Sequence, residues 1–494
     1  MHPSFTLLDV AVLVAYTVGV VAFGMWFGGR QKGAKDYFLA GSSIPWWAIC
    51  ASIVATETSA LTFISVPATA YTTDFWFLQL GFGYLLGRIG IAAVLLPRYF
   101  RGELTTAYHL LEQRFGVSTR RFSSAIFMVT RAFADSVRIF AASIPITLIT
   151  GWTYWQSILL AGVVTLVYTY YGGLRAVIWV DVVQMALYLF GGFATLWVLV
   201  NIIPAGWAGI MEYAGNAGKL QVIHLEGGVS SARWLFTGLI GGAFLSMASH
   251  GVDHMIVQRL LAAPSLGSAR LALVMSGVLV ILQFLLFLLV GVGLYTFYQG
   301  QTFAVADEIF PRFIVEGLPP GMSGLIVAGI LAAMMSTVAS SLNSLASAAT
   351  HDVYAPLAGR EGDEDHLLVV GRRFTLLWGV ILIGGAMLFR LAQQGTPVVV
   401  IALQIASFTY GGLLGAFLLG VLDPKARQRD VLVGMSTGIA VMTALWALRF
   451  FGITERMGTL GEWLAFDALW FSLVGSVITL VVGATLARVA PVRA

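Results

Sequence analysis

An all-α polytopic membrane protein of about thirteen transmembrane helices is the fold class this sequence predicts, on three observations. Of the 494 residues, 58% are hydrophobic and 11% are charged, whereas an ordinary soluble domain carries about 25% charged residues. Mean hydropathy is +0.87. The apolar residues fall into runs long enough to span a bilayer, which takes about 20 residues each. So much apolar surface excludes a soluble enzyme, a nucleic-acid-binding protein and a disordered scaffold. A single cysteine, Cys50, excludes an intrachain disulfide framework.

In chain order the apolar segments run over 6–28, 45–71, 76–100, 119–150, 153–171, 176–202, 233–257, 270–298, 321–351, 371–392, 397–420, 429–450 and 465–488. They are too long and too continuously apolar for barrel strands, so helices are expected. No basic run precedes the first segment, which predicts a retained span and not a cleaved leader. The longest polar connections, 203–232, 299–320 and 352–370, are too short for an independent core. Residues 1–494 therefore read as one transmembrane domain.

Lys and Arg set the orientation. Nineteen of the 28 fall on the side shared by connection 29–44 and the C-terminus, among them Arg30, Lys32, Arg259, Arg360 and Arg493. Six fall on the other side, including Lys219, Arg233 and Arg390, and Arg88, Arg131 and Arg138 lie within apolar segments. This predicts an outer N-terminus and a cytoplasmic C-terminus.

Ionisable groups at membrane depth cost about 2.5–3.5 kcal/mol or more near the centre, so they mark sites or pairs. Four acids qualify: Glu57, Asp135, Asp181 and Asp253. The second segment carries Ser52, Thr56, Glu57, Thr58, Ser59, Thr62, Ser65 and Pro67. Such a run suits a discontinuous helix whose freed carbonyls meet a cation, or else a Pro-kinked helix with hydroxyls bonded to its own carbonyls. In the ninth segment Ser336, Ser340 and Ser344 share one face, with Thr337 and Ser341 beside them. Hydroxyl oxygens there suit Na⁺, and small residues also suit close helix packing. Asp181 reads as a cation ligand or as a snorkelling residue. Arg131, Asp135 and Arg138 form one stripe, either a solute contact or a ladder between helices. His250 and His254 have zinc-helix spacing but lack the Glu after the first His, so no metal site is expected there.

These segments together resemble the sodium/solute symporter family. The matching pieces are Val54–Pro67, Tyr171–Gln184, Asp253–Ala262 and the Ser-rich ninth segment, ending in Asn343-Ser344 and His351-Asp352-Val353-Tyr354. The resemblance implies a five-plus-five inverted-repeat core of leucine-transporter type. An extra helix over 6–28 would precede a first repeat over 45–202 and a second over 233–420, with two further helices over 429–488. The second and seventh spans would be broken. A sodium site would comprise the carbonyls of Ala55, Thr58 and Ala333 and the hydroxyls of Ser336 and Thr337. A second would use Asp181, Ser336 and Ser340, with Ala339 lacking the hydroxyl that relatives supply. Solute positions in the sialic acid relatives correspond to Glu57, Ser59, Thr62, Gly81 and Ala134, of which only Ser59 and Thr62 match. Arg131 and Arg138 flank Ala134, where those relatives carry a carboxylate-binding Arg.

The expected function is sodium-coupled import of a small polar solute by alternating access, across the inner membrane of a bacterium. A carboxylate-bearing solute is favoured by the arginines, with Glu57, Ser59, Thr62, Arg131, Asp135 and Arg138 as contacts. A neutral sugar and a transporter-like sensor are the alternatives. Sodium is the coupling ion, with no organic cofactor, no nucleic acid and a monomeric transport unit.

Overall fold

In the computed structural model, residues 6–29, 31–102, 104–392 and 398–489 are described, and every regular element among them is helical. Arg30 and Arg493 of the charge count, and residue 397 at the start of the eleventh segment, lie outside the described residues. Nine helices among the described residues are long and apolar enough to cross a bilayer.

α1 spans Leu7–Gly28 and opens with a capping box in which Thr6 and Asp9 satisfy each other's backbone. The second predicted segment is two helices, α2 (Trp46–Glu57) and α3 (Ala60–Thr72). A short helical stretch over Ala34–Ser42 meets α2 at 112°. Then come α4 (Phe77–Val94) and α5 (Val117–Thr150). The fifth and sixth segments merge into α6 (Tyr154–Ile202), whose 49 residues would reach about 73 Å if straight. That exceeds twice the hydrocarbon thickness, and the helix turns at Gly173, whose φ of 55° and ψ of −157° leave the helical region. A Cβ at that position would also lie 2.4 Å from the Tyr37 carbonyl, so only glycine fits.

The seventh segment is also interrupted, into α7 (Gly242–Gly251) and α8 (His254–Leu261). Asp253 caps α8 through the Met255 amide. α9 (Leu266–Phe297), α10 (Met322–Ala348), α11 (Glu364–Ala392), α12 (Val398–Leu422), α13 (Gln428–Phe450) and α14 (Phe471–Val489) complete the bundle.

α10 is the axis of the molecule. It packs on α1, α5, α6 and α11, and from Ser323 to Ala348 only Leu325 is not buried. Its N-terminal amides are held from outside the core: the Asp9 carboxylate accepts from Gly321 at 2.8 Å and from Gly324 at 2.7 Å. α1 is therefore pinned to the first turn of α10. Close approach elsewhere relies on small residues. A Cβ on Gly28 would meet Gly172 at 2.4 Å, and one on Gly83 would meet the Gly238 carbonyl at 2.2 Å.

Candidate functional site

The site begins at the gap between α2 and α3. Thr58 and Ser59 take extended backbone angles, so the last-turn carbonyls of α2, Ala55 among them, lose their helical partners. Ser59 caps α3, its hydroxyl accepting from the Thr62 amide at 3.4 Å. The Thr58 hydroxyl donates to the Val54 carbonyl at 2.8 Å and accepts from Gln283 Nε2 of α9 at 2.8 Å. The discontinuous helix read from the hydroxyl-rich sequence is present. Its hydroxyls also bond to its own carbonyls, as Thr69 does to Ser65, so both readings of that segment hold in part.

Facing this gap is the hydroxyl stripe of α10. Ser52, Ala55 and Thr56 share one face of α2, and Ala333, Ser336, Thr337 and Ser340 share one face of α10. Hydrogen bonds link the faces. Thr56 and Ser340 share a hydrogen bond of 3.0 Å. Asp181 of α6 accepts from Ser52 at 2.5 Å and from Ser336 at 2.6 Å. The Thr337 hydroxyl donates to the Ala333 carbonyl at 3.2 Å. Ser344 points back to its own helix, bonding the Ser341 carbonyl at 3.2 Å.

Asp181 is fully buried, which removes the snorkelling alternative. With Ser336 and Ser340 it forms a cluster that also contains Arg259. The Arg259 guanidinium donates to Asp181 at 3.2 Å, to Ser52 at 2.8 Å, to the Met255 carbonyl at 2.8 Å, and to Ser340. Reading Arg259 as a loop charge missed this: it is fully buried in α8. Its partner lies 78 positions away in sequence, so no local pattern could pair them.

The arginine–aspartate stripe of α5 is assembled as the spacing predicts, with an added member. Arg131 bonds Asp135 at 3.4 Å and Asp253 at 2.5 Å. Tyr410 of α12 also donates to Asp253, at 2.6 Å. Ser341 donates to Asp135, and Arg138 reaches the same carboxylate at 3.2 Å. The Arg131 side chain is 5% exposed and that of Arg138 is 23% exposed. Arg131 is thus consumed by two carboxylates, while Arg138 keeps an accessible face. A void of about 10 Å³ lies against Thr130, Arg131, Ala134 and Asp253, roughly the room one water needs.

Glu57 does not stand free. Arg88 of α4 pairs with it and also donates to Ser276 at 2.6 Å, and His250 Nε2 lies 3.6 Å from it. The Glu57 side chain remains 17% exposed, and Ser59 and Thr62 are half-buried beside it. Gly81 is buried, and a Cβ there would lie 3.1 Å from the Ile281 side chain, which would have to shift to admit it. Ala134 is buried. The two histidines of the zinc-like spacing are separated by the α7–α8 break. His250 faces Glu57, and His254 bonds Ser347 at 3.1 Å.

The model of the sodium:solute symporter family matches residues 37–438. The chain is 28% identical over 461 residues to the sodium/sialic acid symporter NanT of Aliivibrio fischeri, covering 90% of this chain and 88% of that protein. It is 30% identical over 456 residues to sodium-coupled monocarboxylate transporter 1 of Mus musculus, covering 90% and 73%. A solved structure of a Na⁺-coupled sialic acid symporter, substrate-bound and outward-open, superposes with a TM-score of 0.87 at 26% identity, covering 99% of both chains.

Proposed function

This chain belongs to the sodium:solute symporter family, and from that premise we propose where it holds its sodium ion and what class of solute it carries. It is a multi-pass membrane protein that couples sodium to the symport of a small solute by alternating access. The proposed core is a pair of five-helix repeats over 45–202 and 233–420, with thirteen spans in all. Two facts support it: the helices that would open each repeat, α2–α3 and α7–α8, are the interrupted ones. In this reading α6 counts as two spans divided at Gly173, and α2–α3 and α7–α8 count as one span each. An odd number of spans per repeat inverts the second relative to the first. The charge asymmetry of the connections supports an outer N-terminus and a cytoplasmic C-terminus.

The coupling ion is assigned to the carbonyls of Ala55, Thr58 and Ala333 and the hydroxyls of Ser336 and Thr337. One observation carries this assignment: the gap in α2–α3 frees carbonyls opposite a buried hydroxyl stripe, the oxygen-rich setting that a half-helix provides for Na⁺. A second ion at Asp181, Ser336 and Ser340 is not assigned. Arg259 already neutralises Asp181 and bonds Ser340, and Ala339 offers no hydroxyl.

The solute is assigned as a small polar carboxylate. Arg138 is the proposed carboxylate contact, because its planar fork binds bidentately and it is the more accessible arginine of the stripe. Glu57, Ser59 and Thr62 receive the solute's hydroxyl or amino groups. Asp135, which Arg131 also bonds, holds Arg138 in place. Relatives named for sialic acid and for monocarboxylates favour the same chemistry.

One Na⁺ falling through 100 mV yields about 2.3 kcal/mol, and a tenfold gradient adds about 1.4 kcal/mol. Together they sustain several-hundred-fold accumulation. Solute uptake and charge movement into proteoliposomes test the whole reading. Uptake should require Na⁺ and not K⁺, should accept carboxylates over their amides, and should carry one sodium per solute. Two sodium ions per solute would return the Asp181 cluster to the list of ion sites, and equal transport of acid and amide would remove the Arg138 assignment.

A further inference from the structure

Asn343 of α10 is fully buried, and neither its Oδ1 nor its Nδ2 has a hydrogen-bond partner among the described residues. Buried amides are ordinarily paired, and an orphan one needs an explanation. Its position supplies one. Ser336, Ser340, Asn343 and Ser347 are spaced by four, three and four residues, so they occupy one face of α10. The other three have partners on neighbouring elements: Ser336 on Asp181 at 2.6 Å, Ser340 on Thr56 at 3.0 Å, and Ser347 on His254 at 3.1 Å. At about 1.5 Å rise per residue the stripe runs about 16 Å from Ser336 toward the C-terminal end of the helix, in steps of about one turn.

We propose that Asn343 is a release station for the coupling ion, the oxygen that receives Na⁺ after Ser336 and Thr337 and passes it toward the cytoplasm. This rests on the sodium site and orientation proposed above. A carboxamide oxygen is a hard, neutral donor. It holds a partly hydrated cation firmly enough to admit it and weakly enough to let it leave, the condition for conduction through successive sites. Arg259 closes the route here, because its guanidinium lies between Asp181 and Ser340. Opening the inner side requires that arginine to withdraw, which exposes Asn343 next along the stripe.

Proteoliposomes of defined internal and external sodium test this with Asn343→Leu, Asn343→Ser and Asn343→Asp. The external Na⁺ giving half-maximal uptake should stay within about twofold of wild type in all three. Net uptake should fall about tenfold in Asn343→Leu and largely recover in Asn343→Ser, which restores an oxygen. In Asn343→Asp the added charge should hold the ion, so internal Na⁺ should inhibit at about fivefold lower concentration. Should Asn343→Leu fail to fold, the Asp and Ser variants carry the test. Unchanged internal inhibition in Asn343→Asp overturns the proposal, as does a raised external requirement in every variant. Sodium-independent uptake by the wild type would instead remove the reading on which it rests.

Discussion

At the scale of single residues, function depends on which charges are already satisfied. Ser336 and Thr337 are neutral hydroxyls in a buried helix, and each proposed contact contributes one oxygen to a desolvated ion. Ser336→Ala and Thr337→Ala should therefore each raise the sodium requirement of uptake by roughly 5- to 150-fold, the equivalent of about 1–3 kcal/mol. Sodium activation curves at matched protein level check this, and unchanged curves in both variants would remove the site. The two arginines of the α5 stripe should part company. Arg138→Gln should weaken binding of an acidic solute at least about tenfold while the protein stays folded, since a charged hydrogen bond is worth about 1.5–3 kcal/mol. Arg131→Gln strips the buried Asp253 of its guanidinium, and breaking a buried pair costs about 3–5 kcal/mol, so thermal stability should fall first. If Arg138→Gln keeps wild-type affinity, the solute is uncharged. Much at this scale was legible in the sequence: Ser336, Thr337, Asp181 and the Arg131–Asp135–Arg138 spacing all stand out in apolar runs. The partners Arg88, Arg259 and Tyr410 did not, because each pairs across 31 to 157 positions.

Among elements, the decisive features are interruptions. Hydroxyls, a Glu and a Pro in one apolar run announced the gap in α2–α3, because such residues serve a lipid-facing helix poorly. The break between α7 and α8 had no comparable local signature and was expected only through the family resemblance. Gly173 decides how α6 folds back. Its backbone angles lie outside the regions open to other residues, and the Tyr37 carbonyl blocks a side chain. Gly173→Ala should therefore lower the melting temperature of the purified protein, with backbone strain alone costing about 1–3 kcal/mol. Wild-type stability in that variant would show that α6 can turn without the glycine. α1 has a definite role as well: Asp9 fastens it to the amides that open α10, a link between the extra helix and the central one.

For the whole molecule, the proposed orientation predicts which loops meet the outside. Cys50 is 2% exposed, so it contributes little background to thiol labelling. In intact cells a membrane-impermeant maleimide should label Glu226→Cys, in the connection after α6, and leave Glu361→Cys untouched until the membrane is opened. The reverse pattern would invert the topology. The central position of α10 suits the proposed coupling of sodium and solute: the hydroxyl stripe and Asn343 lie on this helix, and its Ser336 and Ser341 reach the Asp181 cluster and the arginine stripe.

The sequence by itself determined the membrane fold, the approximate spans, the orientation signal and the hydroxyl-rich segments on which the sodium site is proposed. Composition, run length and charge asymmetry are properties of local segments, and bilayer thickness acts on those directly. Only the tertiary structure decided which buried charges meet. Arg88 takes Glu57, Arg259 takes Asp181, and Arg131 takes Asp253, leaving Arg138 with the accessible face and Asn343 with no hydrogen-bond partner among the described residues. In a medium of low dielectric a charge must find its counterion. Packing brings that counterion from any part of the chain, so the order of residues cannot name it.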